Sequence, residues 1–436
     1  MTYFRRILFS CLSIFLAAQT ALLVRIQYPA KLNFDEAHYV PAAKEFLAHI
    51  ENHNWEHPLL GKMLIASGIA MFGDEPLGWR FMSTVFGALT LVAVFVWALA
   101  IFRKESAAWF ATALTAFNQL LYVQSRIAML DTFMVAFLVG ALAAYSWTWH
   151  PEVSLKTTRR SFWIAGVLFG LANACKWASI VPWVFCLGLI GLLKIIQSWQ
   201  TRFEKPGPDD WYFPGLWKGL SNLEIVSSLV LIPIVVYFIT FLPFLWADRP
   251  PGSPAYTLWD LWLMQPKMWD GQLRVTSSHP YMSQWTGWAL MIRPIWYAFD
   301  PDGPDSVRGV IFLGNPFVMW GGLLALAGCF WGWVQQRSRT AFLILSFYAV
   351  LYLGWALIPR KIAFYYYYYP AALVLSLALT WVAEWLETQV AGGFRALKWG
   401  LVLVASAFFV YFYPILGAQR IPANAFQDWM WLRSWI

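Results

Sequence analysis

The sequence has few charged residues and few cysteines for its length. Only 12% of its 436 residues are charged, whereas 60% are hydrophobic. A soluble globular domain carries roughly 25% charged residues, so much of this protein's surface must face a solvent other than water. The four cysteines lie singly in apolar stretches, which indicates neither a disulfide framework nor a zinc site. The composition therefore predicts a multispanning membrane protein.

Apolar runs of sufficient length predict about eleven transmembrane helices in an all-α membrane protein. A bilayer core needs about 20 apolar residues per helix. The run 63–72 is shorter, and we interpret it as an interfacial helix. The first run is interpreted as an uncleaved span, because no small-residue cleavage site follows it. The predicted spans are 7–25, 80–102, 106–123, 128–149, 161–174, 178–197, 223–246, 309–334, 341–358, 363–383 and 399–416.

The distribution of Lys and Arg predicts the orientation of these spans. Short loops rich in Lys and Arg stay in the cytoplasm, and such clusters occur at every second turn if the N-terminus is inside. Most of the net charge of +8 then falls on the cytoplasmic side, so the basic pI needs no nucleic-acid partner. Three segments are predicted to be outside: 26–79, 247–308 and 417–436.

This topology divides the chain into four parts. We predict an N-terminal catalytic membrane module with its first outer loop, a large outer loop, a group of C-terminal helices and an outer tail. Their predicted bounds are 1–246, with the first outer loop at 26–79, then 247–308, 309–416 and 417–436.

Two adjacent carboxylates, Asp35 and Glu36, follow the first span and precede His38. Carboxylates close to hydrocarbon are costly, and they tend to be kept for function. A solvated loop start or a helix cap explains the pair equally well at this stage. The pair is also compatible with a divalent cation, but the sequence offers no complete ligand set. We therefore predict no metal site and treat both carboxylates as catalytic candidates.

Cations recur at the predicted outer ends of the spans. Lys62 precedes the interfacial helix, Arg80 begins the second span, and Arg126 follows the third. Arginine offers a forked donor, and a low local dielectric strengthens its attraction for phosphate. Snorkelling would explain Arg80, and ordinary helix flanking would explain Lys62, without any ligand. Other charged candidates on this side are Asp131, which also fits an ion pair or a helix cap, Lys176, Arg293 and Arg360.

Histidines and aromatic residues accompany these charges. His57 precedes Lys62, and His279 and Tyr281 lie in the large outer loop. The five consecutive tyrosines at 365–369 are typical of an aromatic belt at a span entrance, and a surface that contacts lipid or sugar is the alternative. Because the turns emerge on one predicted face, we expect one shared site.

Several short motifs occur in a fixed order along the chain. They are Phe34-Asp35-Glu36 with His38, His57-Pro58 with Gly61-Lys62, Trp79-Arg80, Ser125-Arg126 with Leu130-Asp131, Lys176-Trp177 and His279-Pro280-Tyr281. This ordered series, from about residue 30 to about residue 375, resembles the protein O-mannosyltransferase family, which has the GT-C architecture. Leu59 stands where the family usually has a second proline. The outer loop is too short for the extra soluble domain of eukaryotic members, so the resemblance is to a prokaryotic form.

The resemblance implies an inverting transferase that moves mannose from polyprenyl-phosphate mannose to Ser or Thr of exported proteins. Asp35 is carried over as the general base, and Glu36 as the partner that orients the acceptor or tunes Asp35. Fixed cations would stabilise the departing phosphate. The cations implied for this role are Arg80, Arg126, Lys176, Arg293 and Arg360. The remaining substrate-binding candidates are His38, His57, Lys62, Asp131, His279 and Tyr281.

The resemblance also implies the partners and the location. The partners are the lipid-linked sugar donor, an acceptor protein or peptide and the membrane lipids. No cofactor is certain, and a divalent cation is unproven. The protein is expected in the cell inner membrane, with its active site facing the periplasm or exterior.

Three other functions compete with protein O-mannosylation. A GT-C transferase could modify a glycolipid or lipid A, although the aminoarabinose-transferring branch typically has Arg at the position of His38. A lipid-linked-sugar transporter or flippase would also use charges at membrane entrances. Against transport, the ionizable residues collect at one predicted face, and no two-fold repeat is visible. A non-catalytic scaffold is the third alternative.

Overall fold

Nine helices of the protein are long and apolar enough to cross a bilayer within the part of the chain that the computed structural model describes. The described residues are 3–50, 54–203, 216–248, 254–274, 279–358, 360–390 and 394–436. These helices confirm the predicted helical, multispanning architecture. They are Tyr3–Leu23, Pro76–Phe102, Leu130–Trp147, Trp177–Trp199, Asn222–Trp246, Pro316–Gln336, Arg339–Ala356, Tyr365–Gln389 and Lys398–Ile415.

The described ranges contain sixteen α-helices and three β-strands. A π-helical turn, Ser227–Leu231, joins α10 to α11 within one span. In chain order the elements are α1 (Tyr3–Leu23), α2 (Glu36–Leu47), α3 (Leu60–Phe72), α4 (Pro76–Phe102), α5 (Glu105–Ala116), α6 (Gln119–Gln124), α7 (Leu130–Trp147), α8 (Leu155–Cys175), α9 (Ile180–Phe203), α10 (Asn222–Val226), α11 (Ile232–Ile239), α12 (Leu258–Arg274), β1 (Ile295–Pro301), β2 (Ser306–Phe312), α13 (Pro316–Gln336), α14 (Arg339–Leu353), α15 (Tyr369–Gln389), α16 (Phe394–Phe412) and β3 (Arg420–Pro422).

The predicted span 106–123 is divided into two helices, α5 and α6. Asn118 lies at the break, and its side chain accepts a hydrogen bond from the Leu120 amide of α6. Asn315 donates to the Phe117 carbonyl, 2.9 Å away, at the end of α5. An unpaired backbone group in hydrocarbon costs several kcal/mol. The two buried asparagines therefore make a helix break tolerable inside the bundle.

Helix α8 is longer than the predicted span 161–174. It begins at Leu155, because the Ser154 side chain accepts a hydrogen bond from the Thr157 amide and so caps the helix. The added N-terminal turns carry Arg159, which pairs with Glu224 of α10 at 2.5 Å. These polar turns are why α8 is absent from the nine most apolar helices.

The centre of the bundle is formed by α4, α7 and α15, whereas α1 and α16 lie at its edge. The most apolar stretches of α7 and α15 are each 78% buried, and that of α1 is only 17% buried. One apolar cluster runs from Ile14 to Trp435, across the predicted boundaries at 246, 308 and 416. The division into four parts stays a prediction.

Three of the basic residues assigned to the cytoplasmic side meet at one end of the bundle, opposite the end that carries Asp35. Arg6 pairs with Glu105 at 2.6 Å, and Lys104 pairs with Glu384 at 2.6 Å. The buried Lys398 also contacts Glu384. The helix ends in this corner belong to α1, α4, α5, α15 and α16. Their convergence is consistent with the alternation of loops expected from the charge pattern.

A three-stranded antiparallel sheet, which the sequence analysis did not predict, packs at the Asp35 end. Its order is β1-β2-β3, so a strand from the tail extends a hairpin from the large loop. The register of β1 shifts between Trp296 and Ala298, which marks a β-bulge at Tyr297. The predicted span 309–334 begins inside β2, whereas the helix itself begins at Pro316, with Asn315 as its cap.

The prediction of an aromatic belt at residues 365–369 is wrong. All five tyrosines are buried within the protein, at 3% exposure or less. Tyr365–Tyr368 form a 3₁₀ turn that leads into α15. Tyr367 stacks on Trp355 with ring centroids 4.4 Å apart, and the Tyr348 and Tyr368 hydroxyls lie 2.8 Å apart. The run is buried because it packs among other helices at the Asp35 end of the bundle.

Close packing of α8 on the π-helical turn yields a first prediction. A Cβ atom at Gly166 would lie 1.8 Å from the Ser228 carbonyl oxygen, whereas at Gly188 of α9 it would meet no atom within 4 Å. Gly166→Ala should therefore destabilise the protein by about 1–3 kcal/mol through overpacking. Thermal unfolding in detergent, followed by tryptophan fluorescence, should show a lower midpoint for Gly166→Ala than for Gly188→Ala. Equal midpoints would contradict this packing.

Candidate active site

Asp35 lies at the start of α2, directly after a strained residue. Phe34 has a φ of 50°, a left-handed conformation that bulky residues rarely adopt. The Asp35 side chain makes no capping hydrogen bond to its helix. Its Oδ2 instead accepts a hydrogen bond from the Tyr366 hydroxyl at 3.2 Å. Four rings surround Phe34 at centroid distances of 5.1 to 6.0 Å: His279, Tyr297, Phe364 and Tyr366.

Glu36 and Arg80 form a buried, bidentate ion pair. Arg80 Nε donates to Glu36 Oε1 at 2.7 Å, and Arg80 Nη2 donates to Oε2 at 2.8 Å. The two carboxylate oxygens also accept hydrogen bonds from the Asn33 and Ala128 amides. The other three N–H groups of Arg80 donate to the carbonyls of Ile26, Pro29 and Lys31. All five donors of Arg80 are therefore committed within the protein.

Arg126 is committed in a similar way to the end of α1. Its Nη1 donates to the carbonyls of Leu22 and Val24 at 2.5 and 2.6 Å, and its Nη2 donates to the Arg25 carbonyl. Its guanidinium also lies over the Tyr122 ring, 4.9 Å from the centroid. The last carbonyls of a helix have no partner within the helix, so an arginine here satisfies them. Sequence analysis predicted a phosphate contact for both Arg80 and Arg126. In the structure, both guanidinium groups donate hydrogen bonds to main-chain carbonyls.

Lys176 and Asp131 form a second buried ion pair. The Lys176 ammonium donates to Asp131 Oδ2 at 2.7 Å, and both side chains are about 4% exposed. The ammonium also lies 4.9 and 5.0 Å from the ring centroids of Tyr366 and Tyr367. Tyr366 therefore connects Lys176 to Asp35, which gives the site a continuous chain of contacts from carboxylate to cation.

A cavity of about 300 Å³ opens beside Lys176. One wall is α12, and another is the segment after α14. Arg360 reaches this cavity, and its buried Nε has no hydrogen-bond partner among the described residues. The lining is otherwise largely apolar and includes Leu357, which is 84% exposed. A cavity with two cations and an apolar exposed flank suits an amphiphilic anion.

His57 and Lys62 fix the loop that borders the cavity. The Lys62 ammonium donates to the carbonyls of Asn54 and His57 at 2.5 and 2.9 Å. Burial lowers the pKa of Lys62 to about 7. Burial also holds the pKa of His57 well below its usual range, with added repulsion from Lys176 and Lys62. His57 therefore presents a neutral imidazole to the cavity, and Lys62 supports the loop from behind.

Burial also controls the protonation of Asp35. Loss of hydration raises the pKa of the Asp35 carboxyl above its ordinary value, whereas the positive charge of Lys176 lowers it in part. Asp131 raises it further. A carboxylate with a raised pKa accepts a proton more readily than an ordinary aspartate does, which suits a general base.

The other predicted site residues occupy different places. His38 is exposed on α2, close enough to Asp35 and His57 to influence both pKa values. His279 packs edge-on against Phe34, and its Nδ1 accepts a hydrogen bond from the Tyr281 amide. Arg293 donates to the carbonyl oxygens of Pro280, Ser434 and Ile436, so it connects the large loop to the tail.

Sequence reasoning missed several residues that border the site. Tyr366 contacts Asp35, yet the tyrosine run gave no sign of which hydroxyl would face inward. Gln272 of α12 donates to the Glu56 carbonyl at 2.8 Å and lies 3.3 Å from His57 Nδ1. Trp269, on the same helix, lines the cavity. The spacing of Trp269 and Gln272, three residues apart on a helix, was a usable signal for a shared face.

The adjacent carboxylates do not converge on one position. Glu36 is paired with Arg80, whereas Asp35 contacts Tyr366. No group of three or more His, Cys, Asp or Glu side chains suited to a metal ion occurs among the described residues.

Comparison with known families covers most of the chain. Residues 76–247 match the family described as dolichyl-phosphate-mannose-protein mannosyltransferase. Residues 257–435 match the family described as the C-terminal four TMM region of protein-O-mannosyltransferase.

Named mannosyltransferases from bacteria are similar to most of the chain. The chain is 27% identical to the polyprenol-phosphate-mannose–protein mannosyltransferase of Mycobacterium tuberculosis, over 92% of this chain and 86% of that protein. The protein of the same name from Corynebacterium glutamicum is 26% identical, over 92% of this chain and 88% of that protein.

Two solved structures share the fold. The Saccharomyces cerevisiae protein O-mannosyltransferase Pmt1–Pmt2 complex bound to the sugar donor has a TM-score of 0.76, with 14% identity over 98% of this chain and 93% of that chain. ArnT from Cupriavidus metallidurans bound to undecaprenyl phosphate has a TM-score of 0.57, with 18% identity over 92% of this chain and 63% of that chain.

The buried ion pair yields a second prediction. Glu36→Gln removes the charge that compensates Arg80, and breaking a buried pair from one side costs about 3–5 kcal/mol. Asp300→Asn is the control, because its partner Lys31 is exposed and a surface pair contributes about 0–1 kcal/mol. The thermal midpoint in detergent should fall markedly for Glu36→Gln and little for Asp300→Asn. A midpoint for Glu36→Gln like that of the control would refute the dependence of the fold on this pair.

Proposed function

The chain belongs to the protein O-mannosyltransferase family and is a membrane glycosyltransferase, and from this premise we propose that it transfers mannose from polyprenyl-phosphate mannose to Ser or Thr of exported proteins. The observation that carries the proposal is the contact chain from the Asp35 carboxylate through Tyr366 to Lys176 at the edge of the cavity. We assign the base to one end of this contact chain and the phosphate-binding cation to the other end.

The donor phosphate is assigned to Lys176 and Arg360. Both line the cavity, and the buried Arg360 Nε has no partner among the described residues. A desolvated donor of this kind is costly unless a ligand engages it. The prenyl chain would leave along the apolar flank near Leu357. The phosphate gains charge as it departs, so fixed cations stabilise the transition state more than the ground state.

The sugar is assigned to the opposite wall of the cavity. Glu56, His57 and Gln272 offer acceptors and donors for hydroxyl groups, and Trp269 offers an aromatic face for the sugar ring. The neutral His57 can both donate and accept a hydrogen bond. This placement leaves the anomeric carbon between the phosphate and Asp35.

The transfer step follows from these positions. The acceptor oxygen forms a bond to the anomeric carbon from the face opposite the phosphate, which inverts the configuration. Asp35 takes the hydroxyl proton, and the electron pair of the breaking carbon–oxygen bond leaves with the phosphate. General-base assistance of this type contributes roughly 10²- to 10⁴-fold in rate.

We assign Glu36, Arg80, Arg126 and Lys62 to positioning rather than to contact with the donor. Their charged groups are already engaged by each other or by main-chain carbonyls. Glu36 anchors the start of α2, and it thereby fixes the residue next to it, Asp35. Asp131 orients the Lys176 ammonium.

The protein is proposed to lie in the cell inner membrane with this site facing the periplasm. Support comes from the basic corner formed by Arg6, Lys104 and Lys398 at the other end of the bundle, because Lys and Arg clusters favour the cytoplasm. Membership of a glycosyltransferase family favours an enzyme over the transporter and scaffold alternatives. The acceptor then arrives from the aqueous phase, on the side of His38.

Asp35→Asn should abolish most transfer while keeping donor binding. The amide is isosteric but cannot take the proton, so kcat should fall roughly 10²- to 10⁴-fold. The assay measures mannose transferred from polyprenyl-phosphate mannose to a Thr-containing peptide. Burial raises the pKa of Asp35, and a protonated carboxyl cannot act as a base. As the pH is lowered, wild-type activity should therefore begin to fall while the pH is still above the ordinary aspartate range. A fully active Asp35→Asn variant would exclude Asp35 as the base.

Lys176→Met and Arg360→Met should weaken binding of the lipid phosphate. A hydrogen bond to a charged group contributes about 1.5–3 kcal/mol, so each variant should lose roughly 10- to 100-fold in affinity for polyprenyl phosphate. Arg274→Met is the matched control, because Arg274 is an exposed cation on α12 that pairs with Asp270. Equal affinities for all three variants would remove the phosphate assignment.

A further inference from the structure

The β-bulge in β1 lies next to the catalytic carboxylate. The bulged residue, Tyr297, is buried, and its hydroxyl donates to Gln124 Oε1 at 2.8 Å. Its ring centroid lies 5.1 Å from that of Phe34. A bulge re-aims one side chain of a strand. Here the side chain that it turns inward is one of the rings that hold Phe34 in its left-handed conformation.

Phe34 has no intrinsic preference for that conformation. A non-glycine residue in the left-handed region costs about 1–3 kcal/mol and persists only where its surroundings determine it. Tyr297 provides part of that surrounding, and Asp35 follows Phe34 directly. Any relaxation of Phe34 would therefore turn the Asp35 carboxylate away from Tyr366.

The last described residues hold β1 at the bulge. Trp296 Nε1 donates to the Trp435 carbonyl at 3.0 Å, and Trp435 Nε1 donates to the Met291 carbonyl at 2.7 Å. Trp435 is only 1% exposed. Arg293 adds hydrogen bonds to the carbonyl oxygens of Ser434 and Ile436 at 3.1 and 2.9 Å. The strand β1 is thus contacted at Trp296, one residue before Tyr297, and the turn that leads into the strand is contacted at Met291 and Arg293.

We propose that residues 433–436, here called the strap, position the catalytic carboxylate. The strap fixes the bulge of β1, the bulge presents Tyr297 to Phe34, and Phe34 in turn sets the direction of Asp35. Arg293 is a positioning residue in this arrangement, because it ties the strap to the start of β1. The inference rests on the proposed role of Asp35 as the base. It means that contacts outside the donor cavity would affect the rate of mannose transfer.

Trp435→Phe tests the strap while keeping an aromatic ring at a buried position. The variant loses the hydrogen bond to Met291 but keeps a ring, so the fold is expected to remain. Arg293→Met is a second variant, which removes the guanidinium contacts at a partly exposed position. Trp429→Phe is the matched control, because Trp429 lies in the same tail but its Nε1 donates to the Tyr411 carbonyl of α16 rather than to β1.

Two measurements read the outcome. The first is the kcat and donor KM for mannose transfer to a peptide, with thermal midpoints measured in parallel. A misplacement of about 1 Å can cost roughly 10²-fold in rate, so kcat should fall at least tenfold in both strap variants, with donor KM within about twofold of wild type. The second is hydrogen–deuterium exchange, which should become faster at residues 33–38 in both strap variants but not in Trp429→Phe.

Unchanged kcat and unchanged exchange at residues 33–38 would overturn the proposal. A parallel loss of kcat, donor binding and thermal midpoint would also overturn it, because the strap would then only support the fold. The exchange measurement needs no mannose. If the wild-type protein transferred no mannose but exchange at residues 33–38 still responded to the strap, the proposed function would fail while the coupling stood.

Discussion

The arrangement of the site depends on the bidentate ion pair between Glu36 and Arg80. Two charges without contact with water must satisfy every donor and acceptor they carry, and this pair does so by recruiting the main chain around it. The Arg80 guanidinium gathers the carbonyls of the chain leaving α1, and the Glu36 carboxylate receives the amide of Ala128 before α7. The start of α2 is therefore fixed by α4, by the end of α1 and by the turn before α7. Asp35 is positioned because the next residue, Glu36, is held by these contacts.

The cations at this end of the bundle divide into two groups with different tasks. Arg80 and Arg126 are consumed by backbone carbonyls and the Glu36 carboxylate, whereas Lys176 and Arg360 face a cavity. The division explains how one region can contain many positive charges without losing the basicity of Asp35. Glu36 neutralises Arg80, and among these cations it is Lys176 that acts on the Asp35 carboxyl, where it opposes the effect of burial together with a smaller contribution from His38. Asp35 and Lys176 can therefore lie close together while the pKa of Asp35 stays above its ordinary value.

Hydropathy predicted the helical bundle well, because the length of an apolar run is a local property of the sequence. The order of short motifs also located Asp35, Lys176 and His57 near one another. The failures depend on tertiary contacts. Residues 309–312 looked like the start of a span but pair as a strand with β1, because their partners lie elsewhere in the chain. The tyrosine run was predicted to face the interface, yet neighbouring helices cover it. The partners of an arginine depend on the groups that surround it in the fold: Arg80 is paired with Glu36 and main-chain carbonyls, whereas Arg360 Nε has no hydrogen-bond partner among the described residues.

The apolar flank of the cavity affects the route by which each substrate would reach the enzyme. With Leu357 almost fully exposed at this edge, a lipid donor can approach by lateral diffusion within the bilayer, while a peptide must arrive by three-dimensional diffusion from water. The concentration that governs donor binding would then be an amount per area of membrane, whereas the concentration that governs acceptor binding would be an amount per volume of solution. Saturation by the donor would reflect its mole fraction among the lipids, so dilution of the aqueous phase would change the acceptor supply and leave the donor supply untouched.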